Sequence, residues 1–102
     1  MSFRLVIKQL AETDISEAAK WYSRIDRRVA RNFIDSVDKT LSGIKTIPYA
    51  FPIVDGTYRR AITRKFPFAI YFTVEEDEVV VFGIFHCSRH PEKWKNRFAD
   101  DW

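Results

Sequence analysis

Arg60, Arg64, Tyr71, His86 and Arg89 are the residues of this chain best suited to chemistry, with Arg59 and Lys65 beside them. They flank or end the apolar runs of its second half. Cations neutralise phosphates, and an aromatic ring can stack on a base. Gathered on one surface, such side chains suit a negatively charged ligand. Each also has a plainer reading. Paired arginines on an edge strand serve as solvated charge, Tyr71 serves as sheet packing, and a lone histidine at a strand end is often structural.

Several other chemistries find no support. Gly43, Gly56 and Gly83 are scattered and form no phosphate-cradling loop. His86 and His90 are four apart, but Pro91 argues against a helix carrying both, so no metal set is expected. Cys87 adjoins His86, yet neighbours on a strand face opposite ways, which argues against a Cys/His nucleophile pair. No cofactor is expected.

The elements that must position these residues can be read from the pattern. Phe66-Pro67-Phe68-Ala69-Ile70-Tyr71-Phe72-Thr73-Val74, an acidic turn Glu75-Glu76-Asp77-Glu78, and the apolar run to His86 read as a β-hairpin. A strand over about 58–64 precedes strands over about 66–74 and 78–87. The last is apolar on both faces and is placed inside the sheet. Residues 48–57, with Pro48, Pro52 and Asp55-Gly56, read as loop.

At the start, Phe3, Leu5 and Ile7 alternate with Arg4, Val6 and Lys8, a half-buried strand. Asp14-Ile15-Ser16-Glu17 reads as an N-cap with an acid three residues on, and the first helix is placed over about 11–24. Asp26 caps a second helix with an apolar stripe of Val29, Ala30, Phe33, Ile34, Val37, Leu41 and Ile44. Its opposite face, with Arg27, Arg28 and Arg31, reads as solvated. Pro48 ends it. The tail from Pro91 holds about one helical turn, with Trp94 and Trp102 anchoring it.

Strand, two helices, then three strands imply an α+β fold: an antiparallel helix hairpin on one face of a largely antiparallel sheet that ends in a three-stranded meander. The second face is then partly open. If the Phe row of Phe66, Phe68 and Phe72 faces the helices, Tyr71 lies on that open face, with Arg4, Lys8 and either Arg60 and Arg64 or Arg59 and Lys65.

With 102 residues, 46% of them hydrophobic, a single packed domain is expected and disorder is not. One cysteine excludes an internal disulfide and fits a reduced, cytoplasmic setting. Neither a signal peptide nor a membrane span is expected. The net charge of +3 permits a polyanionic partner without demanding one.

The ordered set Ala11-x-x-Asp14-Ile15-x-Glu17-Ala18-x-x-Trp21-Tyr22, Phe33, Leu41, Pro48, Phe51-Pro52, Arg60, Phe66-Pro67-Phe68-x-Ile70-Tyr71-Phe72, Val79-x-Val81 and His86-x-x-Arg89-x-Pro91-x-x-Trp94-x-x-Arg97 resembles the RelE/ParE superfamily of bacterial type II toxin–antitoxin toxins, also called plasmid stabilization proteins. The resemblance spans nearly the whole chain and agrees with the element order. It implies a growth-arresting toxin neutralised by a cognate antitoxin in a hetero-oligomer.

The superfamily has two branches. RelE-like members are ribosome-dependent endoribonucleases acting on messenger RNA. In that branch the resemblance would make His86 a general acid or base, with Arg60, Arg64 or Arg89 stabilising charge and Tyr71 beside them. ParE-like members inhibit DNA gyrase without that set. The modest net charge, the Trp21-Tyr22 pair and the His-x-x-Arg-x-Pro-x-x-Trp ending favour the ParE-like branch. A nontoxic relic that only complexes antitoxin is a third reading. Antitoxin contact is expected at Trp21, Tyr22 and Ile25 and at an exposed sheet edge, by an amphipathic helix or an added strand.

Overall fold

The computed structural model describes residues 3–88 and 93–100. In chain order it has β1 (Arg4–Ile7), α1 (Gln9–Ser23), α2 (Arg27–Thr46), a 3-10 turn (Pro48–Ala50), β2 (Ile53–Asp55), β3 (Tyr58–Ile62), β4 (Phe68–Glu75), β5 (Glu78–His86) and α3 (Lys93–Asp100). The sheet order is β1-β5-β4-β3-β2. β1 runs parallel to β5, and the other pairs are antiparallel. The α+β class, the helix hairpin and the interior position of β5 agree with the sequence pattern.

α1 and α2 bury one face. From α2 the buried side chains are Phe33, Val37, Leu41 and Ile44, at steps of three and four. They meet Phe68, Ile70 and Phe72 of β4 and Val79, Val81 and Ile84 of β5. Tyr22, Phe33, Phe66 and Phe68 form an aromatic knot. Tyr22 lies 5.2 Å from both Phe33 and Phe66, and Phe33 lies 5.1 Å from Phe68. The Tyr22–Phe66 and Phe33–Phe68 pairs are edge-to-face, a geometry that adds roughly 0.5–1.5 kcal/mol per pair beyond burial. Asp26 caps α2 as expected, its carboxylate accepting the Arg28 N–H at 2.8 Å.

Four expectations need correction. Asp14 is not an N-cap. α1 begins at Gln9, directly after β1, with no side-chain cap at Lys8, and Asp14 lies inside it with a tertiary role. The segment 48–57 is not all loop. Ile53–Asp55 pairs with β3, so the meander has four strands. The tail carries an eight-residue helix, longer than one turn. That helix covers the second face, which is therefore not open: Tyr58, Ala69, Tyr71, Val80, Phe82 and Phe85 form a second core against which Trp94 packs. Trp102 lies outside the described residues.

β5 contains a bulge. Tyr71 opposes Gly83 while Phe72 opposes Val81, leaving Phe82 as the extra residue. An inserted residue reverses the side-chain alternation beyond it. Val79 and Val81 enter the helix-side core, and so does Ile84; Val80, Phe82 and Phe85 enter the other.

Candidate functional site

The candidate residues divide among three places. Arg60 and Tyr71 meet, because β3 and β4 pair them directly. With Ile62, Ala69, Phe85 and Trp94 they line a depression of about 240 Å³, bordered by His86 and Cys87. Of the two alternatives for β3, then, Arg60 is the one on the Tyr71 face. Arg59 turns the other way, donating to the Phe51 carbonyl at 2.6 Å with its guanidinium 5.1 Å from the Tyr49 ring.

Tyr71 is 4% exposed. The Trp94 ring stacks on it at 5.1 Å with the planes 12° apart, and Phe85 leans against it at 5.9 Å. Burial pushes the phenol above its ordinary pKa, while Arg60 opposes that shift. At neutral pH Tyr71 is thus a neutral phenol, able to donate a hydrogen bond but unsuited to act as a base.

His86 ends β5 opposite Phe68. Its ring packs edge-on against Phe68 at 5.3 Å, toward the helix-side core. Nδ1 accepts the Ser88 N–H at 3.2 Å. Unbroken alternation from Val79 would have given His86 the face of Tyr71, and the bulge reverses this. Arg64 lies apart from both, in the β3–β4 turn beside Asn32, Ser36 and Lys39 of α2. Arg89 lies outside the described residues. Lys8 sits on the Tyr71 face, 5.7 Å from the Phe82 ring, and Arg4 pairs with Glu78 at the sheet edge.

Of the expected antitoxin contacts, Trp21 is 46% exposed and Ile25 is 65% exposed, but Tyr22 is buried in the aromatic knot. Leu10, 46% exposed, was not singled out by its spacing. It lies eleven residues before Trp21, about three helical turns, and so on the same side of α1.

One structural cluster gave no local signal. Asp14 accepts the Ile84 N–H at 3.0 Å and both Arg97 terminal nitrogens, at 3.0 and 3.1 Å. Arg97 also donates to the Phe82 carbonyl at 3.3 Å and lies 4.8 Å from the Phe85 ring. β1 pairs β5 only as far as Val81. Beyond it, the Asp14–Arg97 pair satisfies the edge groups of Phe82 and Ile84 and clasps α3 to the sheet. Gly83 makes room for this. A Cβ there would fall 2.6 Å from Phe85 Cε2 and 3.3 Å from Arg97 Nη1.

A family model described as "ParE toxin of type II toxin-antitoxin system, parDE" matches residues 5–91. The chain belongs to the ParE toxin family. Among solved structures, a chain described as "Chromosomal ParDE TA system from P. aeruginosa" superposes with a TM-score of 0.74, covering 83% of this chain and 96% of its own, at 15% identity. At that identity the likeness is one of fold. No curated protein sequence matches the chain. The ParE match runs from within β1 through β5 and stops before α3, so Trp94 and Arg97 lie beyond it. Among the described residues no helix is long and apolar enough to cross a membrane.

Proposed function

We propose that this ParE-family toxin arrests growth by binding DNA gyrase as a protein inhibitor, in the cytoplasm, and that a cognate antitoxin neutralises it. One observation favours this reading over ribosome-dependent RNA cleavage: the described residues a nuclease would use converge only in part. Arg60 and Tyr71 share a depression roofed by Trp94 and bordered by His86, but Trp94 stacks on Tyr71, the His86 ring packs edge-on against Phe68, and Arg64 belongs to the α2 side. General acid–base work needs its groups within hydrogen-bond reach of one reacting site. A binding inhibitor needs only complementary surface. The exposed apolar line of Leu10, Trp21 and Ile25 on the helix hairpin suits an amphipathic segment of the antitoxin.

The test is a supercoiling reaction with purified gyrase and relaxed plasmid. Stoichiometric toxin should block supercoiling or accumulate cleaved DNA, and the antitoxin should restore activity. Full supercoiling at large toxin excess would refute the gyrase reading.

A further inference from the structure

Charge is segregated along the strand direction of this molecule. At one end the α1–α2 connection brings together Lys20, Arg24, Arg27, Arg28 and Arg31. The β3–β4 turn adds Arg64 and Lys65 at the same end, because Phe66 beside them packs on Tyr22 and Phe33. The acid nearest the α1–α2 connection is Asp26, already engaged by the backbone and side chain of Arg28. Asp35 and Asp38 lie farther along α2, Asp35 beside Arg64 and Lys65 of the turn. At the opposite end of the sheet, the β4–β5 turn carries Glu75, Glu76, Asp77 and Glu78, with Asp55 in the neighbouring hairpin.

β4, which joins the two ends, has eight residues, or about 26 Å. The Debye length at physiological salt is about 8 Å. The acidic end therefore does little to neutralise the basic one, and a modest net charge conceals a strong local field.

The basic end is also held in place. Ser36 Oγ donates to the Arg64 carbonyl at 2.6 Å, and Thr63 Oγ1 donates to the Phe66 carbonyl at 2.7 Å. Between them Lys65 has φ of 70°, in the left-handed region that favours glycine. A lysine in that conformation, pinned on both sides, is a strained and positioned cation. Beside the turn lies a depression of about 440 Å³ lined by Asn32, Ser36, Lys39, Arg64 and Lys65, residue types that contact phosphate oxygens, together with Phe66 and one acid, Asp35. Arg27 to Lys39 span about 18 Å along α2, enough to follow several phosphates of one strand at about 3.4 Å each.

We propose that this basic end, formed by the first half of α2 and the β3–β4 turn, docks on the phosphate backbone of duplex DNA. Duplex fits better than a single strand, whose readers offer aromatic stacking platforms. The exposed aromatic here, Trp21, is instead packed edge-on against Tyr22 at 5.0 Å. The proposal is independent of the gyrase reading.

The test is fluorescence anisotropy of a short mixed-sequence duplex with the full chain, over a salt series. Binding should weaken steeply, by about 10³-fold between 50 and 200 mM salt if six phosphates are engaged. Combining Arg31→Glu, Arg64→Glu and Lys65→Glu should weaken binding at least about tenfold and lower the salt slope by roughly one per cation removed. Glu75→Lys with Glu76→Lys, at the far end, should leave the Arg31, Arg64 and Lys65 dependence intact. The single change Arg31→Glu, at an exposed helix position, guards against misfolding and should reproduce part of the loss. Three results would each overturn the proposal: no binding at low salt, a triple variant that binds like the parent, or a polyglutamate peptide that competes as well as DNA.

Discussion

The two faces of this sheet are buried by different means. One lies under the amphipathic hairpin of α1 and α2, through many interlocking apolar side chains around Phe33. The other lies under the eight residues of α3, with Trp94 stacked on Tyr71 and Arg97 clasped to Asp14. Isolated helices that short are marginal in water, so α3 depends on those attachments. The hairpin face is structural, and the α3 face is a cover whose removal would expose Arg60, Tyr71 and Phe85.

The contrast can be broken from either side. Phe33→Ala should have the largest effect, about 3–5 kcal/mol of global stability, seen as a lowered denaturant midpoint and loss of all tertiary signal together. Asp14→Ala should cost about 2–3 kcal/mol, since it strands Arg97 and the Ile84 N–H at a largely buried site. Its distinguishing mark is faster amide exchange in α3 at a given stability. Gly83→Ala should cost about 1–3 kcal/mol by overpacking, because Phe85 is buried and Arg97 lies over its ring.

Trp94→Ala should have the smallest global effect and the most local one. With Trp94 in place, Tyr71 has a folded pKa above its unfolded value near 10. The unfolded phenol then loses its proton first, and stability falls as pH rises past about 10. Removing Trp94 should bring the Tyr71 titration, followed by ultraviolet difference absorbance, back toward its ordinary value and flatten that loss. An unchanged titration would mean that α3 does not bury Tyr71.

Much of the fold was legible because its signals are local. The α2 stripe is periodic, Asp26 caps within two residues, and the Phe row of β4 alternates. What was missed depends on partners far along the chain. Asp14 fits a capping pattern, yet its partners are Ile84 and Arg97. Ile53–Asp55 is too short to announce itself as a strand and forms by pairing with β3. The bulge at Phe82 turns the His86 ring toward Phe68, and no spacing rule reveals it. The sequence left open which arginine of β3 shares the Tyr71 face, and the β3–β4 register places Arg60 there. The rest of the candidate site dispersed where the bulge, the α2–turn contact and the α3 cover intervene.

The central proposal is that this toxin acts by binding a protein target and not by RNA cleavage. The direct test adds purified toxin to a cell-free translation reaction with a defined messenger RNA and maps transcript ends by primer extension. An intact transcript is expected. Ribosome-dependent cuts within codons, abolished by His86→Ala or Arg60→Ala, would contradict it.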